Sequence, residues 1–482
     1  MLADRLNPKI AVCVVYVSAL FMAIIDITIV NVAIPQLARD FSVTPDHIDL
    51  VVVAFLVTLA VFIPASGWFG DRFGMKNVLL AALLIFTGAS ALCGISQSLT
   101  QLVIFRALQG VGGGILTPVG MAMLFRTFPP EERVRVSRIL IVPTAFAPAL
   151  GPVLGGFLVT DVSWRWVFYI NLPIGLAAFV FGVLFLRDQR DHEAGRFDLG
   201  GFLLAGTGLP SLMYAVTEGP NRGWSSPLII VLGLVGLALL TVFVRYELRY
   251  PEPMIDVRLI KNTLFRLATS VLFIGIAGFL GSLYLASLFF QDGLGLSARD
   301  SGLTTFPEAI GVMIGAQFAT RLYANFGPRR VMTVGLFCVA ASIGSFTLVG
   351  FDTNLWVVRT IMFCLGLSVS HVFVPAQAAA FATITPAAMG RASTIFNTGR
   401  QLGSAVGVAV LTTVISAVGV FHDVGGHRAP NLAAFHWAFG AGAIFALVAA
   451  TIAWQINDAD AASTMKPKKK AAAQEPELAP AI

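Results

Sequence analysis

Apolar residues in this chain do not alternate with polar ones. They run in blocks of about twenty residues or more, separated by short stretches that hold most of the charge. A helix that long spans the hydrocarbon core of a bilayer. Strands of a membrane barrel are shorter, roughly ten residues, and alternate, so strands are not expected. Fourteen blocks qualify, near 10–35, 48–69, 77–97, 101–125, 137–159, 166–186, 199–218, 227–247, 264–290, 300–323, 330–350, 354–379, 394–419 and 431–455. The connections are too short for a soluble domain. The first block follows Arg5 and Lys9, as in a signal peptide, but runs to about Pro35, roughly twice a signal's apolar length. It is read as a retained span.

Composition and charge sharpen this picture. Of 482 residues, 57% are hydrophobic and 12% charged, about half the charge of a soluble domain. The net charge of +6 is distributed by loop rather than gathered for nucleic acid, which is not an expected partner. With the N-terminus inside, alternate loops carry Arg72 and Lys76; Arg126, Arg133, Arg135 and Arg138; Arg187, Arg190 and Arg196; and so on to Lys466 and Lys468–Lys470. The opposite loops carry Arg39, Arg165, Arg222, Arg299 and Arg428, one each. This asymmetry is the positive-inside signature, with both termini cytoplasmic in a cell membrane. Trp164, Trp166, Trp224, Trp356 and Trp437 fall near outer boundaries, as an aromatic belt would. The four cysteines lie in apolar runs without paired spacing, so neither a metal nor a disulfide framework is expected.

An internal repeat divides the chain. FGMKNV at 73–78 resembles FGPRRV at 326–331, an offset of 253, and the same offset takes Arg106 to Arg359. Parallel repeats of this kind are a transporter design. The expected fold is an all-α membrane protein of fourteen helices. It comprises a six-helix bundle at 1–187, two extra helices at 188–262, a second six-helix bundle at 263–457 and a disordered tail at 458–482.

Several strings carry the candidate chemistry. GWFGDRFGMK joins spans 2 and 3 and includes Gly67, Gly70, Asp71, Arg72, Gly74 and Lys76. Glycines permit a tight turn there, and Asp71 suits a helix N-terminus. LVIFRALQGVGGG in span 4 includes Arg106, Gln109 and Gly110. APALGPVLGG in span 5 includes Pro148, Gly151, Pro152, Gly155 and Gly156, where two prolines should bend the helix. DITIVNVAIP opens at Asp26, and WRWVFYINLPIG follows span 5. The GVGGG run lacks a following Gly-Lys-Ser/Thr and lies in an apolar helix, so it is no phosphate loop.

Together these strings resemble the major facilitator superfamily, and within it the fourteen-span drug:proton antiporter branch. The resemblance covers nearly the whole chain. It implies no enzyme activity and no cofactor, with protons as the coupling ion. The implied partners are an amphipathic small molecule and the lipid bilayer, for a monomer that can engage an adaptor protein. It implies export of drugs or toxic organic compounds, and the same motifs serve export of one endogenous metabolite, antibiotic or lipid. The Gly-rich strings serve helix packing, gating or both. The second copy of the turn has Ala324 where the first has Asp71, which leaves any acidic lock there to the first half.

Ionisable groups at membrane depth are expensive and mark function. Asp26 lies roughly 13 Å and Arg106 roughly 8 Å from the outer surface at helical rise, close enough to pair. Glu308 and Arg359 occupy similar depths in the second half. Asp26, Arg106 and Glu308 are the candidates for proton coupling. Gln109, Arg359, His371, Asn397, Arg400 and Gln401, with Asp26 and Glu308, are candidates for a substrate cavity, where the many Phe can supply a forgiving apolar wall.

Overall fold

The computed structural model describes residues 6–43, 48, 50–188, 195–424 and 427–465. Its helices are α1 (Pro8–Asp40), α2 (Leu50–Phe73), α3 (Met75–Ile95), α4 (Leu99–Thr127), α5 (Arg133–Phe157), α6 (Trp166–Phe185), α7 (Leu199–Arg222), α8 (Pro227–Glu247), α9 (Thr263–Leu288), α10 (Ala298–Ser345), α11 (Leu355–Ala380), α12 (Met389–Val418) and α13 (Leu432–Ala453). Among the described residues, twelve helical segments are long and apolar enough to cross a membrane. One of them, Asp300–Leu348, is 49 residues long, and its helix α10 breaks at Gly327, where φ is +81°. A short hairpin pairs Phe421–Val424 with His427–Pro430, so the expectation of no strands fails at this one loop. Asn431 donates from its backbone to the Val420 carbonyl at 2.7 Å and closes the loop onto α13.

Packing follows composition. α1 packs on α4, α5 and α6, and α4 on α2 and α3, which gathers the first six helices. α9 packs on α11, α12 and α13, and α10 on α11 and α13. α7 lies beside α8, α2 and α12. α8 turns most of its surface outward, with Val231, Leu234 and Leu237 each more than half exposed. In water such a face would be a large unfavourable patch; in hydrocarbon it costs nothing. Trp166, Trp224, Trp356 and Trp437 are 45–70% exposed, as a belt requires. Trp164 departs from that expectation. It is 3% exposed and donates from Nε1 to Asp40 at 2.7 Å, tying the far ends of α1 and α5 together.

The two copies of the repeated turn share a backbone solution. Gly74 has φ of +89° and Gly327 of +81°, values an L side chain rarely adopts. Each glycine lies against a carboxylate that follows the last helix of its group: Asp188 at Gly74, Asp458 at Gly327. Asp458 accepts from the Arg329 backbone N–H at 2.9 Å, and Arg329 stacks over Trp454 at 4.0 Å. The second turn therefore does have an acidic clasp, borrowed from far along the chain. Order accordingly extends past 457. Tyr323 and Thr464 hydroxyls meet at 2.6 Å in a buried contact, and Ser463 reaches the Ala382 carbonyl. The expected disorder from 458 does not hold for 458–465; the rest of the tail, 466–482, lies outside the described residues.

Gly327→Ala forces φ of +81° on an L residue and drives a methyl into the Asp458 carboxylate. The expected cost is about 1–3 kcal/mol, read as a lower melting midpoint of detergent-purified protein by scanning fluorimetry. Gly344→Ala, where a Cβ meets nothing within 4 Å, should leave that midpoint unchanged or slightly raised.

Candidate functional site

A fully buried polar network ties five helices. Asp26 of α1 is 0% exposed and Arg106 of α4 is 1% exposed. Arg106 Nη1 donates to Asp26 Oδ2 at 2.6 Å and to Gln109 Oε1 at 2.8 Å. Its Nε donates to the Val51 carbonyl of α2 at 3.2 Å, and its guanidinium lies over the Phe55 ring at 4.4 Å. The other carboxylate oxygen, Asp26 Oδ1, accepts from Gln109 Nε2 and Asn171 Nδ2, both at 2.9 Å. Asn171 also donates to Ser90 of α3 at 3.0 Å, and Ser90 to the Phe168 carbonyl at 2.9 Å.

The chain builds this site with small residues. Gly110 and Gly114 bring α4 against the backbone of α2, and Gly112 brings it against α3 at Ala82 and Phe86. Gly151 and Gly155, one turn apart on α5, sit against Thr28, Ile29 and Val32 of α1. Gly156 meets nothing within 4 Å, so packing does not account for it. The side chains of Pro148 and Pro152 lie outside the described residues, and α5 passes through both positions as helix. Asn171 was not singled out from sequence as a site residue. A lone amide just inside an apolar span, within INLPIG, is the signal that could have found it.

A second polar locus lies between the two groups of helices. A narrow cavity of about 40 Å³ is lined by Leu20, Ala23, Ile24 and Ile27 of α1, Leu59 and Ile63 of α2, Gly113 and Thr117 of α4, and Asn397, Arg400 and Gln401 of α12. That exceeds the roughly 10–15 Å³ needed to admit a water. Asp26 and Gln109 are not among its walls. They point into the first helix group, so these two proposed cavity residues belong to the network instead.

The remaining candidates lie apart from both loci. Glu308 is 4% exposed on the first half of α10, with its backbone pressed against Gly366 of α11. Arg359 stacks on Trp356 at 4.9 Å, and no ion pair joins it to Glu308 among the described residues. The suggested pair of Asp26 and Arg106 thus forms, while the acid and base of the second half do not meet among the described residues. His371 bonds the Leu367 carbonyl of its own helix at 2.8 Å and lies against Gly335 of α10, a packing role.

The two groups are sealed at the end that carries the basic loops. Asp71 accepts from Arg126 at 2.7 Å, and Arg126 reaches the Ala387 carbonyl at 3.5 Å. Gly67 abuts Gly390 and Thr394 of α12, and Ser66 and Thr394 hydroxyls meet at 3.3 Å. Ser393 donates to the Pro118 carbonyl at 2.8 Å, Arg133 to the Phe381 carbonyl, and Arg138 to Gln317 at 2.7 Å. Phe125 stacks on Phe381 at 4.6 Å. Gly70 packs on Val119, Lys76 donates to the Val183 and Leu186 carbonyls at the end of α6, and Arg72 is exposed.

Removing one partner of a buried pair strands the other charge, at about 3–5 kcal/mol. Arg106→Gln is expected to lose thermal stability on that scale, and the Asp26→Asn/Arg106→Gln double variant to recover most of it. A thermal-unfolding double-mutant cycle in detergent reads the coupling; additive losses would mean the two charges do not depend on each other.

Comparison with known proteins agrees with this arrangement. The sequence profile described as Major Facilitator Superfamily matches residues 16–408. The chain is 32% identical over 421 residues to the multidrug resistance protein B homolog of Mycobacterium tuberculosis, covering 86% of this chain and 77% of that one. It is 33% identical over 349 residues to the putative multidrug resistance protein MdtD of Pectobacterium atrosepticum, covering 72% and 74%. In fold it resembles the human organic anion transporter MFSD10, with a TM-score of 0.67 at 16% identity over 93% of this chain and all of that one. It also resembles the proton:xylose symporter XylE, with a TM-score of 0.63 at 14% identity over 94% and 96%. The chain is a multi-pass membrane transporter, not an enzyme, and it belongs to the major facilitator superfamily.

Proposed function

We propose that this transporter is a proton-driven antiporter that exports amphipathic drugs or toxic organic compounds from the cell by alternating access. The observation that carries the reading is Asp26, an acid without solvent at membrane depth, held by Arg106, Gln109 and Asn171. The relatives named for multidrug resistance support the export of drugs.

The chemistry follows from that network. An ionised Asp26 holds three donors from α4 and α6. A proton on it removes the charge-assisted part of these bonds and leaves Arg106 uncompensated. The bundle then relaxes toward an arrangement that solvates Arg106 differently. Release of the proton on the more alkaline side restores the pair. A membrane potential near 100 mV supplies about 2.3 kcal/mol per charge moved inward, roughly a 50-fold concentration ratio at full coupling. Glu308, buried with no ion-pair partner among the described residues, is the second coupling candidate. Protons are the coupling ion, and no other cofactor enters.

The architecture that serves this cycle is fourteen spans. α10 is 48 residues long, about 72 Å at helical rise and more than two bilayer cores, and α5 adds a 25-residue helix. Two bundles at 1–187 and 263–457 rock about the central cavity, with the extra pair at 188–262 beside them. Both termini are cytoplasmic in the cell membrane, and the working unit is a monomer, with an adaptor protein where export must cross a second membrane. The seal at the basic-loop end is then the cytoplasmic gate in its closed state.

The test is purified protein in liposomes with a pH-sensitive dye and a panel of amphipathic drugs. Wild type should release protons on drug addition. Asp26→Asn, checked for folding by gel filtration, should abolish that release and drug-driven uptake. Undiminished transport by that variant under an imposed pH gradient would rule Asp26 out as the coupling acid.

A further inference from the structure

Among the described residues, no acid balances the charge that the central cavity carries. Arg400 lines it from α12, no ion pair joins it among those residues, and its Nε is buried without a hydrogen-bond partner. Arg400 also feels the hydroxyl of Tyr16 on α1, whose ring lies against Gly120 of α4 and is not a wall of the cavity. That hydroxyl is also buried and unpartnered, on a side chain that is 0% exposed. Gln401 lines the same cavity, and the remaining walls on α1 and α2, from Leu20 to Ile63, are apolar.

A guanidinium at membrane depth with no protein partner is costly unless something else satisfies it. Asp26 is unavailable, because Arg106, Gln109 and Asn171 already use its oxygens. Glu308 is not a wall of the cavity. The donors lining the cavity, a forked guanidinium and the Gln401 amide, match a carboxylate, which Arg can bind through two parallel N–H···O bonds. The apolar walls match a hydrophobic body.

We infer that the central cavity recognises amphipathic anions, with Arg400 and Gln401 holding the acidic head group against the apolar face of α1. The inference deepens the transport reading and rests on it, by naming the substrate class of the same cavity. In the closed conformation the cavity measures about 40 Å³. The head-group donors are already in place, and opening away from the sealed end makes room for the body. The anion can arrive from water as an organic acid or from the bilayer as a fatty acid; the chemistry recognised is the same.

The experiment uses the full chain in nanodiscs and three probes with one body: 4-octylbenzoic acid, 4-octylbenzamide and 4-octylbenzylamine. Binding is followed by tryptophan fluorescence and calorimetry. The carboxylate is expected to bind wild type at least ten-fold more tightly than the amide or the amine. Arg400→Gln should erase that preference while still binding the amide, and Arg400→Lys should retain part of it. Arg400→Gln strands no partner, so the fold is expected to persist, checked by an unchanged or higher melting midpoint. Displacement of the benzoate by oleate in the bilayer, or by a short aromatic acid from water, identifies the source, and either supports the inference. Equal or tighter binding of the amine, a carboxylate preference that survives Arg400→Gln, or no binding of any probe overturns it. Drug-driven proton release by amines without carboxylate preference would sink this inference and leave antiport standing. Carboxylate preference without proton release would do the reverse.

Discussion

Carboxylate and guanidinium charges can sit among lipid-facing helices only if each is answered by the other and by fixed dipoles. The contact of 2.6 Å between Asp26 and Arg106 meets that condition, and much of the first helix group is arranged around it. Gln109 bridges the pair, Asn171 and Ser90 extend it to α6 and α3, and the Val51 carbonyl fixes the guanidinium from α2. The glycines of α4 exist in the same cause. A side chain at Gly110 or Gly112 would push α2 or α3 away and open the network. Buried ion pairs often add little net stability; here the pair makes the position of five helices depend on one protonatable group.

The seal at the basic-loop end is built differently. It joins helices from separate groups through short polar contacts, close glycine approach and the stacking of buried aromatics such as Phe125 and Phe381. Asp71 and Arg126 are each about a tenth exposed, so water can reach and replace their bond. The Asp26 network has no such access. Both assemblies rest on an Asp–Arg bond, and they differ in how far solvent reaches it.

Much of this was legible in the residues. Block length and loop charge give the helices, because lipid leaves the backbone no alternative to helix. Asp26 and Arg106 stood out because charge is so rare at that depth. Asn171 did not, since an amide in an apolar run carries no charge to flag it and its role depends on three other helices meeting there. The Asp458 clasp was hidden for the same reason: no local pattern predicts that an acid in a polar tail folds back onto a turn 131 positions earlier. Glu308 and Arg359 lie at similar depth yet form no ion pair among the described residues, because depth on neighbouring helices does not set which way each side chain faces. Trp164 turned inward to meet Asp40, an outcome that a boundary position alone does not reveal.

α1 has a further consequence. Its cavity stripe, Leu20, Ala23, Ile24 and Ile27, lies roughly a third of a turn around the helix from Asp26 at 100° per residue. The buried acid and the cavity wall therefore share one rod but no side chain. A substitution along the stripe reshapes the wall without touching the carboxylate, and the ion pair with Arg106 is untouched by the size of the stripe's side chains.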